Sequence, residues 1–217
     1  MKFVVSYSCG KDSTLSLHKM IKAGHTPVGL LVMMNKDGRH SWFHDVDPFL
    51  MENISQSLEI PLIKCVSGGE DYHLELEEGL RRAKKLGAEV CVFGDIDIEE
   101  HKEWGTARCS AVGLKPCYPL WHRDREENTR ELLDLGYQCV IKCVRNADLP
   151  KDMLGKVLDS GMVEFMKKKG LDVCGENGEY HTVTVGGPIF HMPVAYRCGE
   201  ISDLGNTSVI NITPQTF

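Results

Sequence analysis

Six residues near the start of the chain, Ser8-Cys9-Gly10-Lys11-Asp12-Ser13, combine small and hydroxyl side chains with one cation and one carboxylate. They lie between a short apolar run at 3–6 and an amphipathic stretch at 14–23, so the local order is strand, loop, helix start. A helix N-terminus presents N–H groups that have no intrahelical partner, and its dipole favours an anion in front of the first turn. Ser8 and Ser13 add hydroxyl donors and Lys11 adds a mobile positive charge, so the chemistry expected here is phosphate binding. A plain helix cap by Asp12 or Ser13 is the simpler alternative. Spacing excludes two other phosphate loops, since neither G-x-x-x-x-G-K-[ST] nor G-x-G-x-x-G occurs at this junction.

Two further groups are candidates. Gly94-Asp95-Ile96 follows a strand expected at 90–93, and ligands of open parallel sheets collect beyond the carboxyl ends of the strands. Asp95 is thus a candidate to face a nucleotide or its metal, and His44, in the loop after the strand at 27–34, belongs to the same rim. Near the end, Cys174-Gly175-Glu176-Asn177-Gly178-Glu179-Tyr180-His181-Thr182 carries a tight-turn signal at Asn177-Gly178 that brings Glu176 toward Glu179. From Glu179 a strand alternates, with Glu179 and His181 on one face and Tyr180 and Thr182 on the other. A glutamate beside a histidine suits orienting or deprotonating an incoming amine, although charged hairpin ends are also common as plain structure.

These residues need a scaffold that gathers strand ends. Strands at 3–6, 27–34, 62–66, 90–93 and 115–118 alternate with helices at 14–23, 48–58, 71–86 and 99–112. That alternation predicts an α/β fold, an open parallel five-stranded sheet with helices on both faces. From residue 120 the pattern changes to a helix at 125–135, a strand at 138–144, a helix at 162–169 and a strand-rich tail. We therefore expect two units, 1–120 for the nucleotide and 121–217 as a smaller α+β domain. The 217 residues, 42% hydrophobic, suffice for a proper core. The longest apolar run, 28–34, is too short to span a membrane, and the start has no signal-peptide pattern, so a cytoplasmic protein is expected. Nine scattered cysteines without a C-x-x-C pair fit reduced thiols, and a net charge of -6 gives no footprint for nucleic acid.

The loop at 8–13 resembles the S-G-G-x-D-S pyrophosphate loop of the N-type ATP pyrophosphatases, with Cys9 where that pattern has its first glycine. If that position needs a positive φ, Cys9 carries a conformational cost. Gly94-Asp95-Ile96, Arg108, Pro119-Leu120-Trp121, Val140-Ile141-Lys142 and residues 175–182 resemble, in this order, the diphthine-ammonia ligase (diphthamide synthetase) family over about residues 1–190. Asn177, suited to a positive-φ turn, replaces a glycine of the family's Gly-Glu-Gly-Gly-Glu-Tyr-Glu-Thr signature, and His181 replaces a glutamate.

The resemblance implies an adenine nucleotide alpha-hydrolase-like fold and an ATP-dependent amide-forming ligase. ATP adenylates a carboxylate and releases pyrophosphate; ammonia then displaces AMP. The acceptor implied is the modified histidine of elongation factor 2, with a small metabolite as the other possibility. On this reading Ser8, Cys9, Gly10, Lys11, Asp12, Ser13, His44, Gly94 and Asp95 bind ATP, and Asp12 and Asp95 hold Mg²⁺. Lys11, Asp12, Glu176 and Glu179 are the catalytic candidates, and the adenine lies against residues 31–33. The alternatives are another PP-loop pyrophosphatase acting on tRNA or a metabolite, with Cys139 and Cys143 as the close thiol pair, or an ATP-binding sensor without turnover.

Overall fold

The computed structural model describes residues 1–36, 41 and 45–215. Its first part runs β1 (Lys2–Ser6), α1 (Lys11–Lys22), β2 (Thr26–Asn35), α2 (Pro48–Leu58), β3 (Leu62–Ser67), α3 (Tyr72–Lys85), β4 (Val90–Val92), α4 (Glu99–Val112) and β5 (Lys115–Cys117). The five strands form one parallel sheet in the order β3-β2-β1-β4-β5. The expected α/β architecture is therefore present.

Alternation along the strands sorts the helices onto two faces. Phe3 and Val5 of β1, with Leu30 and Val32 of β2, bury against Leu15 and Leu17 of α1 and Leu50 and Ile54 of α2. Val4, Leu31 and Met33 point the other way, into a cluster with Leu76 and Leu80 of α3 and Cys109 of α4. Helix ends follow local chemistry: Asp47 caps α2, accepting from Phe49 N at 2.9 Å, and Gly113 closes α4 at φ 69°.

The order of the sheet reverses at β1, since β2 and β3 lie to one side of it and β4 and β5 to the other. A crevice opens at such a switch point, beyond the carboxyl ends of β1 and β4, where Ser8 and Asp95 are found.

The second part comprises α5 (Arg125–Asp134), β6 (Gln138–Arg145), α6 (Ser160–Lys168), β7 (Tyr180–Gly186), β8 (Tyr196–Asp203) and β9 (Thr207–Pro214). Its strands form an antiparallel four-stranded sheet in the order β7-β6-β9-β8. Val140, Val183, Ile210 and Ile212 of this sheet belong to the same buried cluster as Phe3, Leu15 and Leu50. Shared burial thus fixes β7 against the start of α1, where Thr184 N donates to Cys9 O at 2.7 Å. No helix among the described residues is long and apolar enough to cross a membrane.

Candidate active site

Helix α1 begins three residues earlier than periodicity predicts. Gly10 is its N-cap, at φ -78° and ψ 171°, and makes no side-chain cap bond. The alternative of a plain cap by Asp12 or Ser13 is not what forms, since both residues lie inside the first turn. Asp12 receives Lys11 Nζ on both oxygens at 2.7 and 2.6 Å, and the Ser13 hydroxyl donates to Gly10 O at 3.0 Å. Ser8 Oγ lies 3.2 Å from Ser13 Oγ and also accepts Gly10 N, closing the loop on itself.

Cys9 is buried and lies at φ 64°, the left-handed region that favours glycine. A non-glycine residue there costs about 1–2 kcal/mol, and that conformation aims Cys9 O at β7. Cys9→Val, which adds β-branching at a positive φ, is expected to lose about 2 kcal/mol in urea unfolding. Cys9→Gly, which relieves strain but loses a buried thiol and gains unfolded-state freedom, should stay within about 1 kcal/mol of the parent.

Gly94 explains how β4 approaches the loop. A Cβ built there would sit 2.9 Å from Ser13 N and 3.0 Å from the Asp12 carbonyl carbon, both rigid backbone. Gly94→Ala is therefore expected to push the first turn of α1 away and cost about 1–3 kcal/mol, read by thermal melting.

A cavity of about 580 Å³ extends from this loop, within the range of small-molecule sites. Ser8, Lys11, Asp12, Asp95, Glu176 and His181 line it, as do the apolar Leu31, Val32 and Met33 of β2. Cys9, Gly10, Ser13 and Gly94 shape the loop without lining the cavity. His44 lies outside the described residues. Glu179 is 2% exposed and off the cavity wall. One of its oxygens lies 3.4 Å from Asn177 Nδ2 and 3.9 Å from Arg145 Nη2, while the other is buried without a hydrogen-bond partner in the structure. Glu176 and Glu179 therefore do not share the cavity, and His181 lines it without Glu179 beside it. The turn is built by the glycines: Gly175 and Gly178 have φ 76° and 84°, whereas Asn177 is not among the positive-φ residues.

Charge in the cavity is mixed. Burial alone would lower the pKa of Lys11, but the neighbouring Asp12 carboxylate, with Cys174 and Tyr180, outweighs it and holds the ammonium well above its usual value. Lys11 is thus a fixed cation rather than the mobile one expected. Burial raises the Asp95 carboxyl against the opposing pull of His101, 3.3 Å away. Burial and then the charge of Asp12 push Glu176 up to about 7. His181 is lowered, first by burial and then by Lys11, so the ring that stands in place of a glutamate is neutral near pH 7. The Cys174 thiol, 3.4 Å from Lys11 Nζ, is pushed up to about 12 by burial and stays protonated.

Both parts of the chain match models of one family. The description for residues 1–116 is diphthamide synthase N-terminal domain, and for residues 124–212 diphthamide synthase C-terminal domain. The chain belongs to the diphthamide synthase family. A human diphthine–ammonia ligase is 26% identical over 234 residues, covering 93% of this chain and 85% of its own length. A Danio rerio diphthine–ammonia ligase is 26% identical over 92% of this chain and 88% of its own length. A solved structure described as a predicted subunit of tRNA methyltransferase from Methanocaldococcus jannaschii overlaps 86% of this chain and 97% of its own at a TM-score of 0.47 and 14% identity.

In this diphthamide synthase family cavity, Tyr180 and Thr182 belong to the 174–182 motif without a role legible there, and Tyr72 and Trp104 left no mark in the sequence. Thr182 Oγ1 accepts Lys11 N at 3.1 Å across 171 positions, taking one of the helix's unpaired donors. Tyr72 and Trp104, ring centroids 5.9 Å apart, line the far end, and Tyr180 lies 5.8 Å from Lys11 Nζ. Aromatic residues on helices and strands are ordinarily core, so only the assembled cavity singles these out. Two of the residues that carried the family resemblance serve as ion-pair partners: Arg108 binds Glu77 at 2.8 Å and Lys142 binds Asp45 at 3.2 Å.

Proposed function

We propose that this chain is an ATP-dependent, amide-forming ligase that adenylates the carboxylate of diphthine, as the name of its relatives suggests, and lets ammonia displace AMP. The observation that carries the reading is one cavity lined by a helix-start loop, a buried cation and three carboxylates, Asp12, Asp95 and Glu176, in a chain matched along both parts by the family.

Residues 1–120 then bind ATP and residues 121–217 present the acceptor. The triphosphate lies before α1, with Lys11 and the first-turn amides countering its charge. The adenine lies against Leu31, Val32 and Met33. Carboxylate oxygens are the donors that magnesium takes, so Asp12 and Asp95 fit the ion, whereas the protonated thiol of Cys174 does not. Donor atoms of Asp12, Cys174 and Glu176 lie within 4.8 Å of one another among the described residues, close enough for Glu176 to share the charge balance at that point. When bound, magnesium supplies positive charge against the departing pyrophosphate. Glu176, at the acceptor side, takes the proton that the attacking nitrogen loses. Glu179 supports the turn from behind rather than touching substrate.

Nothing favours sulfur insertion, because burial pushes Cys139 up to about 12 and its thiol lies 3.3 Å from Thr184 Oγ1 inside the second sheet. The nine cysteines are all unpaired, which supports a reducing, cytoplasmic setting. The deciding experiment supplies ATP, magnesium, ammonium and diphthine-bearing elongation factor 2. Amide in the acceptor with stoichiometric AMP is the expected result. ATP binding without AMP under these conditions would leave a nucleotide-binding protein and end the ligase reading.

A further inference from the structure

Arg125 stands where a helix does not call for it. It is the first residue of α5, behind the N-cap Asp124, in a turn otherwise acidic at Glu126 and Glu127. A cation at a helix N-terminus opposes the macrodipole, so local helix chemistry does not account for this residue.

Its bonds do. Nε and Nη2 meet Asp97 Oδ2 and Oδ1 at 2.7 and 2.6 Å, a bidentate fork onto the loop that carries Asp95 two residues earlier. Nη1 meets Asp172 Oδ2 at 2.6 Å and Asn177 Oδ1 at 3.4 Å. Asp172 in turn accepts Cys174 N on Oδ1 at 2.9 Å and Glu176 N on Oδ2 at 3.0 Å. One carboxylate oxygen therefore joins the guanidinium to the backbone of Glu176. The side chains of Arg125 and Asp172 are 27% and 9% exposed, so this link is shielded from competing water.

We infer that Arg125 is a positioning residue that ties the Asp95 loop to the Glu176 loop and so fixes the two walls of the cavity relative to each other. The argument for a role in the reaction rests on the ligase reading above; the clamp itself does not. Nothing on α5 touches the cavity, so Arg125 acts through Asp97 and Asp172 rather than on substrate. Lysine at this position keeps the charge but cannot make the fork and the Asp172 bond together.

The test compares the full chain with Arg125→Gln, Arg125→Lys and Asp97→Asn. Hydrogen exchange across residues 172–178 is expected to accelerate about tenfold in Arg125→Gln, with α1 and the first sheet unchanged. ATP affinity should stay within about twofold, while kcat for amide formation falls about tenfold at constant KM for ATP. Arg125→Lys should recover only part of both losses, and Asp97→Asn, which frees the nucleotide-side anchor alone, should reproduce the kcat loss with a smaller exchange effect. Unchanged exchange at 172–178, or exchange rising equally over the whole chain in all variants, would overturn the clamp. If the parent protein forms no amide, the ligase reading fails while the exchange measurement still decides the role of Arg125.

Discussion

Lys11→Ala is expected to weaken ATP binding by about 10- to 100-fold in a calorimetric titration with magnesium ATP. The size follows from the hydrogen bonds of a buried ammonium to phosphate, worth about 1.5–3 kcal/mol because one partner is charged. Lys11 is 4% exposed and its charge is held in place by Asp12, so little ordering remains to be done when phosphate arrives. Alanine also removes the ammonium that meets both Asp12 oxygens, so one positive charge fewer stands beside the triphosphate, which acts in the same direction. The fold should persist, since the first-turn bond to Thr182 Oγ1 is donated by the main-chain N of residue 11, which alanine retains. Equal affinity in the two proteins would remove the loop from the nucleotide site.

Glu176→Gln is expected to lower amide formation by about 100- to 10,000-fold, the span typical of a lost general base. ATP affinity should change far less, because on the ligase reading the residue handles the proton of the attacking nitrogen and does not hold the triphosphate. A carboxyl raised to about 7 by burial and by Asp12, with Lys11 and Arg125 pulling the other way, is mostly protonated at pH 6 and mostly ionised at pH 8. The parent rate is expected to rise with pH, as a base that must be ionised requires, and the residual rate of the glutamine variant should not. Stability offers a second readout. The folded pKa lies above the reference of 4.5, so the native state holds the extra proton between about 4.5 and about 7. Stability of the unliganded protein contributed by this group is thus present at low pH and declines as pH rises through that window. Thermal melts from pH 5 to 7.5 should show the decline in the parent and a flatter profile in Glu176→Gln. Matching profiles would mean that Glu176 titrates elsewhere and is not the base.

The elements were legible because their signals are local. Period-2 and period-3.6 patterns, a glycine after a helix and a proline before one depend on a few neighbouring residues, and α4 was read to the residue at Glu99–Val112. One boundary slipped at α1, which starts at Lys11 with Gly10 as N-cap, so that Asp12 and Ser13 lie inside its first turn and not ahead of it. The strand-rich tail was visible as such, but its division into β8 and β9 depended on pairing partners that periodicity does not name.

Read alone, the sequence specifies the strand, small-residue loop and helix start of residues 2–22, because adjacent residues make all three. It also determined the sheet of five parallel strands, through alternation of strand and helix. Which acids meet depends on long-range packing. Pairing of β4 with β1 brings Asp95 toward Asp12, and packing of β7 on α1 brings Glu176 to the same cavity, while Glu179, three residues from Glu176, is turned out of it. A contact such as Asp12 with Cys174, across 162 positions, is set by shared burial of two sheets and by bonds such as Arg125 to Asp97 and Asp172, and no short-range pattern encodes those.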